Sequence, residues 1–352
     1  MTPPAPSIAM HETFADVAAL DEHLSRPTAA AVEALARLDG DVVVLGAGGK
    51  MGPSLSRMVR RGLDAAGLTG RRVTAVSGFS DRAKAAALER DRVATVACDL
   101  MDRGAVARLP DAGLVLHLTG QKFGTGSDPA RTWAVNTLAP AAALDRYAGA
   151  RVVLFSTGCV YPLVPADGPG ADEACPLEPA GEYANAAVAR ERVAGFLAAR
   201  SATPLLLFRL CYAVEPRYGV IHDVARRVAA GEPVDVRMGW VNLIWQRDAA
   251  ALAIRCLEAA TVPPAALNVT GLERLSVRGL AERCGELLGR RPVFAGEEAP
   301  QAWLWDARAC QARFGPPETT ADEAVRMVCT WVARGGESFG KPTKFEVLDG
   351  RF

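Results

Sequence analysis

The stretch Asp41-Val-Val-Val-Leu-Gly-Ala-Gly-Gly-Lys-Met-Gly52, followed at once by Pro53, constrains the fold more than any other. Val42 to Leu45 form a short apolar run bounded by Asp41 and Gly46, the pattern of a buried strand. Glycines fall at 46, 49 and 52, with an extra one at 48. From Ser54 to Ala66 a helix is predicted, with Leu55, Met58, Val59 and Leu63 on one face. Pro53 suits its first turn, where the missing N–H costs nothing. Strand, glycine turn and helix start together make a phosphate cradle. The glycines let backbone approach an anion, and the helix N-terminus offers free N–H groups and the positive end of a dipole. So placed, the glycines predict a bound dinucleotide, held around Gly46, Gly49, Lys50, Met51 and Gly52. Their spacing is Gly-x-x-Gly-x-x-Gly, not the Gly-x-Gly-x-x-Gly of most dinucleotide folds.

Further apolar runs follow at a regular rhythm. Arg72 to Ser77, Val93 to Cys98, Gly113 to Leu118, Arg151 to Phe155 and Pro204 to Leu210 read as strands. Helical stretches separate them, one carrying Trp133 and Asn136, another running from Glu182 to Arg200 and opening with Tyr183. This alternation predicts an α/β chain built on a Rossmann-type, doubly wound parallel sheet. Ligands of such sheets bind outside the carboxyl ends of the strands. At those ends stand Ser77 and Ser80, then Asp99 and Leu100, then Leu118, Thr119, Gly120, Gln121 and Lys122, then Ser156 and Thr157. An acidic side chain at the end of the second strand would bind the ribose diol of NAD. Here that end reads Ser77-Gly78-Phe79-Ser80, with Arg82 just beyond, which suits a 2′-phosphate. NADP is therefore the expected cofactor, with NAD the alternative if Asp81 turns inward. Lys122 either meets the pyrophosphate or lies at the surface with Asp128.

Residues 1–40 read as an N-terminal helical extension: a mobile Pro/Ala-rich start, then helices over Phe14 to Leu24 and Thr28 to Leu38. Residues 41–210 read as the dinucleotide-binding domain. Beyond Leu210 the simple alternation is lost. Helices are expected over Val224 to Ala230, Ala249 to Ala259, Val277 to Leu288 and Ala321 to Ala333, with a strand-like run from Trp240 to Gln246 and a short strand from Ala266 to Thr270. From Arg334 the tail reads as an irregular cover. Residues 211–352 thus read mainly as a smaller C-terminal substrate lobe, with segments such as 240–270 returning to the core. Lys plus Arg total 40 and Asp plus Glu total 40, so no net field draws nucleic acid or anionic lipid. Eight scattered cysteines without a C-x-x-C pair, and four dispersed histidines, give no metal site. Buried free thiols in a reducing compartment are the simplest account of the cysteines. No basic region followed by an apolar run opens the chain, and no apolar run is long enough to span a bilayer. A cytoplasmic protein with no membrane partner is expected.

These motifs converge on a family. From about Asp41 to Thr270 the chain resembles the extended short-chain dehydrogenase/reductases, the group of nucleotide-sugar epimerases and dehydratases. Gly46, Gly49 and Gly52 have that group's spacing, and Asp99-Leu100 stands at the adenine end of the third strand. His117-Leu-Thr-Gly-Gln-Lys122 is similar to the stretch that follows strand four in UDP-galactose 4-epimerases, and Asn136 matches the central helix Asn. Ser156-Thr-Gly-Cys-Val-Tyr-Pro162 matches the Ser-Ser/Thr-x-x-Val-Tyr-Gly segment. The resemblance implies that Thr157 and Tyr183 are the catalytic hydroxyls, that a bound nicotinamide exchanges hydride with a sugar-derived or polyol substrate, and that the protein forms a homodimer.

One departure stands out. The family's Tyr-x-x-x-Lys would need Lys at 187, and the chain reads Tyr183-Ala-Asn-Ala-Ala187. In the family that Lys binds the nicotinamide ribose and lowers the Tyr pKa through its charge. Its loss leaves two readings beside hydride transfer: a non-redox lyase or isomerase using Tyr183 as acid/base, and a non-catalytic NADP sensor. Lys122 is a candidate to supply part of the missing charge. Gln121 after strand four, Arg209, Tyr212 and His222 around strand six, and Asn242 on the strand-like run are the substrate candidates. Structural roles, such as ion pairs with Asp248, compete for each of the last four.

Overall fold

The computed structural model describes residues 13–122, 124–125 and 127–350. At its centre β1 (Val42–Leu45) pairs with β4 (Leu114–His117), and every side chain of both is buried. A strand covered on both faces needs an apolar run, and β1 is one throughout while β4 is one up to His117. Val42 and Val44 pack into one hydrophobic cluster, Val43 and Leu45 into another on the opposite face. β2 (Val73–Ser77) and β3 (Ala94–Ala97) extend the sheet beyond β1; β5 (Arg151–Thr157), β6 (Leu205–Leu210) and β7 (Ala265–Val269) extend it beyond β4. All seven strands are parallel, in the order β3-β2-β1-β4-β5-β6-β7. The order reverses between β1 and β4, so a crevice opens there at the carboxyl ends. This is the doubly wound sheet that the alternation predicts.

Both faces are covered by helices. The two N-terminal helices, α1 (Val17–Leu24) and α2 (Ala29–Arg37), lie with α3 (Gly52–Ala65) and α9 (Gln246–Arg255) on one face. Between α3 and α9 in the chain come α4 (Arg82–Arg90), α5 (Arg103–Ala107), α6 (Pro129–Arg146), α7 (Gly181–Arg200) and α8 (Val220–Ala230). α6 and α7 pack together on the other face. The extension is thus part of the core's cover, with Thr28 capping α2 by accepting from the Ala31 N–H at 3.1 Å. The Pro/Ala-rich start lies outside the described residues.

In the C-terminal half α8, α10 (Val277–Leu288) and α12 (Ala321–Ala333) pack on one another around a third apolar cluster, while α9 and β7 return to the sheet. α8 begins at Val220, four residues before the expected start, directly after Gly219 at φ 125°. The run from Trp240 to Gln246 is not one strand. Trp240–Val241 pairs with Leu275–Ser276, and Ile244–Trp245 with Ala213–Val214. Between them the Asn242 amide donates to the Gly271 and Trp305 carbonyls, which turns the chain. α5 and α11 (Arg308–Phe314) are short helices that the apolar pattern does not signal. From Arg334 to Gly350 the tail has neither helix nor strand. All eight cysteines are free thiols, seven of them buried. Among the described residues no helix is long and apolar enough to cross a membrane.

One buried ion pair ties α7 to the sheet. Arg209 on β6 holds Glu191 in a fork, Nη2 to Oε2 at 2.7 Å and Nε to Oε1 at 3.0 Å. Ser156 also donates to Oε1 at 2.5 Å, and Arg209 Nη1 reaches the Tyr161 hydroxyl at 2.5 Å. Tyr161 in turn donates to Asn268 Oδ1 at 2.8 Å. Removing one partner of such a pair leaves an uncompensated buried charge. We expect Glu191→Leu to lower unfolding free energy by about 3–5 kcal/mol, measured by urea denaturation; a loss below 1 kcal/mol would mean that Arg209 finds water or another acceptor.

Candidate active site

The glycine turn after β1 is built from close backbone approaches. Gly46 has φ 83°, and a Cβ there would lie 2.8 Å from Thr119 Oγ1 and 2.9 Å from Thr119 N. At Gly52 it would lie 2.4 Å from the Ala47 carbonyl oxygen, and at Gly48 2.6 Å from Ser77 Oγ. Gly49, with 3.2 Å to the Gly46 oxygen, is the least crowded of the four. So the extra glycine of the sequence is one that the packing requires. The first turn of α3 has Met51 at its cap, with no side-chain capping bond, and Pro53 behind it. Its backbone N–H groups are therefore left for a ligand.

Two groups of expected residues stand at the β2 and β3 ends. Ser77 closes β2, half-buried, while Ser80 and Arg82 are exposed. The Asp81 carboxylate accepts from the Ala83 N–H at 3.0 Å and caps α4, so it is committed outward. Asp99 is exposed, with Oδ1 accepting from the Met101 N–H at 2.9 Å, and Leu100 is buried.

At the ends of β1, β4, β5 and β6 a cavity of about 260 Å³ opens. Lys50, Met51, Leu118, Gly120, Lys122, Thr157, Cys159, Tyr183 and Tyr212 are among its lining residues, and Thr343 of the tail closes one side. β5 runs two residues further than expected, so Ser156 and Thr157 are strand residues paired with Arg209 and Leu210. That pairing fixes Thr157 at the cavity wall, where its Oγ1 accepts from the Cys159 N–H at 3.2 Å. Tyr183, in the first turn of α7, is buried with only 9 % exposed. Burial raises its pKa, and the Arg190 charge, the Thr157 hydroxyl and an Arg190 hydrogen bond act against that rise. Asn136 is fully buried; its amide donates to Gln121 O at 3.1 Å and Thr132 O at 2.8 Å, and its Oδ1 accepts from Arg190 Nη2. It thereby ties the loop after β4 to α6. Gly120 is held against the same group, since a Cβ there would lie 3.0 Å from Arg190 Nη2.

Two ammonium groups share the cavity. Lys50 Nζ stands 2.9 Å above the centre of the Tyr218 ring. Lys50 is exposed as a residue, yet protein packed close to its ammonium desolvates it, and the Lys122 charge adds to the effect, so its pKa falls to about 7. Lys122 is half-buried, with Nζ 3.5 Å from the Thr343 carbonyl. Asp128 instead caps α6, accepting from the Arg131 N–H at 2.9 Å. Lys122 lines the cavity, and one Asp128 oxygen is spent as a cap. The tail that covers this side is pinned by Thr343, whose N–H and hydroxyl both donate to Asp223, at 2.7 and 2.5 Å.

Of the five substrate candidates, Tyr212 lines the cavity, edge-on to Trp305 at 5.1 Å between ring centres. Arg209 is held by Glu191, not Asp248. Asn242 is tied to Gly271 and Trp305, and His222 Nε2 meets Ser338 Oγ at 2.9 Å outside the cavity lining. Gln121 uses its carbonyl for Asn136. For Asn242 and Gln121 the bonds satisfy backbone carbonyls that loops leave bare, whereas Arg209 and His222 meet side chains. With Cys211, Trp305 and Thr343, Arg190 is one of the cavity residues that motif reading misses. Its signal was present in the helical period: Tyr183, Ala187 and Arg190 share one face of α7.

Residues 42–270 match the model of the NAD dependent epimerase/dehydratase family. The chain belongs to that family. It is an enzyme of the extended short-chain dehydrogenase/reductase type. No curated protein matches the sequence. Among solved structures, the UDP-glucose 4-epimerase of Thermus thermophilus in complex with NAD is similar at TM-score 0.68 and 22% identity, over 84% of this chain and 99% of that one. The UDP-glucose 4-epimerase of Thermotoga maritima with UDP-glucose has TM-score 0.69 and 17% identity over the same shares. The UDP-glucuronic acid 4-epimerase of Bacillus cereus in complex with NAD has TM-score 0.69 and 15% identity, again over 84% and 99%. These likenesses carry the fold. The residues present here also fit the family's dinucleotide: bare backbone at Gly46, Gly48 and Gly52, an uncapped helix start, and the Thr119 hydroxyl buried without a partner among the described residues.

Lys50 gives this site a pH signature. An unfolded Lys keeps its proton to about 10.5, whereas the folded site releases it near 7. Between those values the unfolded state binds more protons, so the contribution of Lys50 to stability rises with pH through that window. Lys50→Met should flatten the rise in a denaturation series from pH 7 to 10. Identical slopes in the two proteins would show that the Lys50 ammonium is solvated as freely as in the unfolded chain.

Proposed function

We propose that this protein binds NADP and catalyses hydride-transfer chemistry, of the epimerase, dehydratase or dehydrogenase kind, on a sugar nucleotide or related polyol derivative. The observation that carries the reading is the meeting of Tyr183 and Thr157 in one cavity, onto which the glycine turn opens. Gly46, Gly49 and Gly52, with the backbone of Lys50 and Met51, would hold the pyrophosphate. Asp99 and Leu100 would stand at the adenine, and Leu118, Thr119, Gly120, Lys122 and Asn136 along the nicotinamide half. Ser77, Ser80 and Arg82 would surround the ribose 2′ position. In support of NADP, the β2 end offers no carboxylate, since Asp81 is spent as a cap. When bound, the nicotinamide supplies a reversible hydride acceptor.

The chain's own residues do the rest. Thr157 accepts a backbone N–H, which leaves its hydroxyl proton to donate towards Tyr183 or a substrate oxygen. Burial keeps Tyr183 a neutral phenol, suited to polarising a carbonyl or protonating a departing oxygen. Lys50 and Lys122 offset anionic charge on the ligand. The same neutral phenol would serve a non-redox lyase or isomerase, the second reading. A buried cation beside Tyr183 speaks against a sensor with no chemistry. Trp133, Leu138 and Phe196 are exposed apolar residues on α6 and α7, which supports a homodimer through that helix pair. Sedimentation at the mass of a single chain would reject the dimer.

Two outcomes follow. Arg82→Ala should weaken NADP binding by about 1–3 kcal/mol, the scale of a lost charge-assisted contact, and leave NAD almost unchanged in calorimetry. Equal losses for both would reject the 2′-phosphate assignment. With a panel of nucleotide sugars and product analysis by NMR, Tyr183→Phe should cut turnover by roughly 10²–10⁴, the share of a general acid. Full activity in that variant would move the chemistry to other residues.

A further inference from the structure

Ala187, where the family carries its lysine, is fully buried in an apolar cluster with Val160 and Tyr161. No ammonium reaches the cavity from that position. Arg190, three residues further along α7, does reach it: 3% exposed, it lines the cavity beside Tyr183. Its guanidinium is anchored, Nη1 donating to Phe155 O at 2.6 Å and Nη2 to Asn136 Oδ1, while Nε has no partner among the described residues. Among the described residues no carboxylate forms an ion pair with it, because neighbouring Glu191 is taken by Arg209. A buried charge without a counter-charge is costly, and two neutral acceptors would be served equally well by a neutral donor. The charge itself therefore calls for a reason.

We propose that the Arg190 guanidinium is the cation that supports ionisation of Tyr183, supplying from one turn further along α7 the charge that position 187 lacks. The proposal rests on the reading of Tyr183 as the acid/base of the site. Arg190 acts through Tyr183, as a positioning residue. Only the phenol O–H bond is involved: its proton passes to a substrate oxygen or to solvent, and the phenolate left behind is paired with the guanidinium. Besides Arg190, the groups that act on Tyr183 are Thr157 at the end of β5, Cys159 just after it and Tyr218 before α8; none is a cation. Lys50 and Lys122 line the same cavity, with Lys50 over the Tyr218 ring. Burial drives the Tyr183 pKa up, and Arg190 is the foremost influence drawing it down. The anchoring at Phe155 and Asn136 keeps that charge in place without substrate, so the effect is built into the free protein.

The test is the titration of Tyr183 in the free protein, which needs neither cofactor nor substrate. A carbon-13 label at tyrosine Cζ gives one NMR signal for each of the chain's five tyrosines, and Tyr183→Phe assigns one of them. Arg190→Gln should raise the Tyr183 midpoint by about 1–3 units, the effect of a lost neighbouring opposite charge. Arg190→Lys, which keeps the charge, should recover most of that shift. If Arg190→Gln does not fold, the parent protein decides: Tyr183 should ionise before the buried Tyr147, Tyr161, Tyr212 and Tyr218. The proposal is overturned by an unmoved midpoint in folded Arg190→Gln, by Tyr183 ionising after the others, or by its staying neutral until alkaline unfolding. A merely structural Arg190 would change stability and leave the midpoint alone. A protein that titrates as expected yet binds no dinucleotide would reject the proposed function and keep this inference.

Discussion

At Gly46 the turn after β1 presses its backbone against that of Thr119, and at Gly52 the start of α3 presses against Ala47, both closer than any Cβ allows. Everything at the carboxyl edge of the sheet depends on these two contacts. The first locks the β1 turn to the loop after β4 at the point where strand order reverses. The second brings the uncapped end of α3 down onto the turn. Together they leave bare backbone at the turn, beside which Lys50, Met51, Leu118 and Lys122 line the cavity, while β5, α7 and the C-terminal half supply its other side chains. The hydroxyls of Thr157 and Tyr183 thus come from the β5 and α7 side, and the two ammonium groups from the glycine turn and the loop after β4.

The charged residues sort themselves by whether their partner is present. Arg209 and Glu191 satisfy each other, and their fork, with Ser156 and Tyr161 attached, is scaffold. Arg190, next in sequence to Glu191, points to the other side and has only neutral partners. Lys50 likewise stands over a ring instead of a carboxylate. Helix α7 thus uses one carboxylate for stability and keeps a cation for the cavity, and a buried unpaired cation is the arrangement from which a functional demand is most directly read.

Much of this was legible in the sequence. The apolar run Val42–Leu45 and its glycines specify a central strand and its turn, because nothing else tolerates that composition between a strand and a helix. The strand rhythm marks the strands of a parallel sheet as far as β6, though not their order, and Val277–Leu288 and Ala321–Ala333 appear as expected. What was not legible depends on long-range partners. Arg209, His222 and Asn242 sit where substrate contacts are usual, yet Glu191, Ser338 and the Gly271 and Trp305 carbonyls claim them. The split of Trp240–Gln246 depends on the same Asn242 bonds. Arg190 was hidden for a different reason: motif spacing looks four residues past Tyr183, and the helix offers a second position on the same face at seven.

The central claim is that a bound nicotinamide in this cavity exchanges hydride with a sugar-derived substrate. Its most direct measurement is the near-ultraviolet absorbance of the dinucleotide-loaded protein, followed in stopped flow as nucleotide sugars are added without further coenzyme. The account predicts that at least one of them produces the reduced-nicotinamide band, transiently for an epimerase or dehydratase and lastingly for a dehydrogenase. Turnover of a nucleotide sugar with no reduced band at any time, and no isotope effect when the substrate carbon bears deuterium, would contradict it.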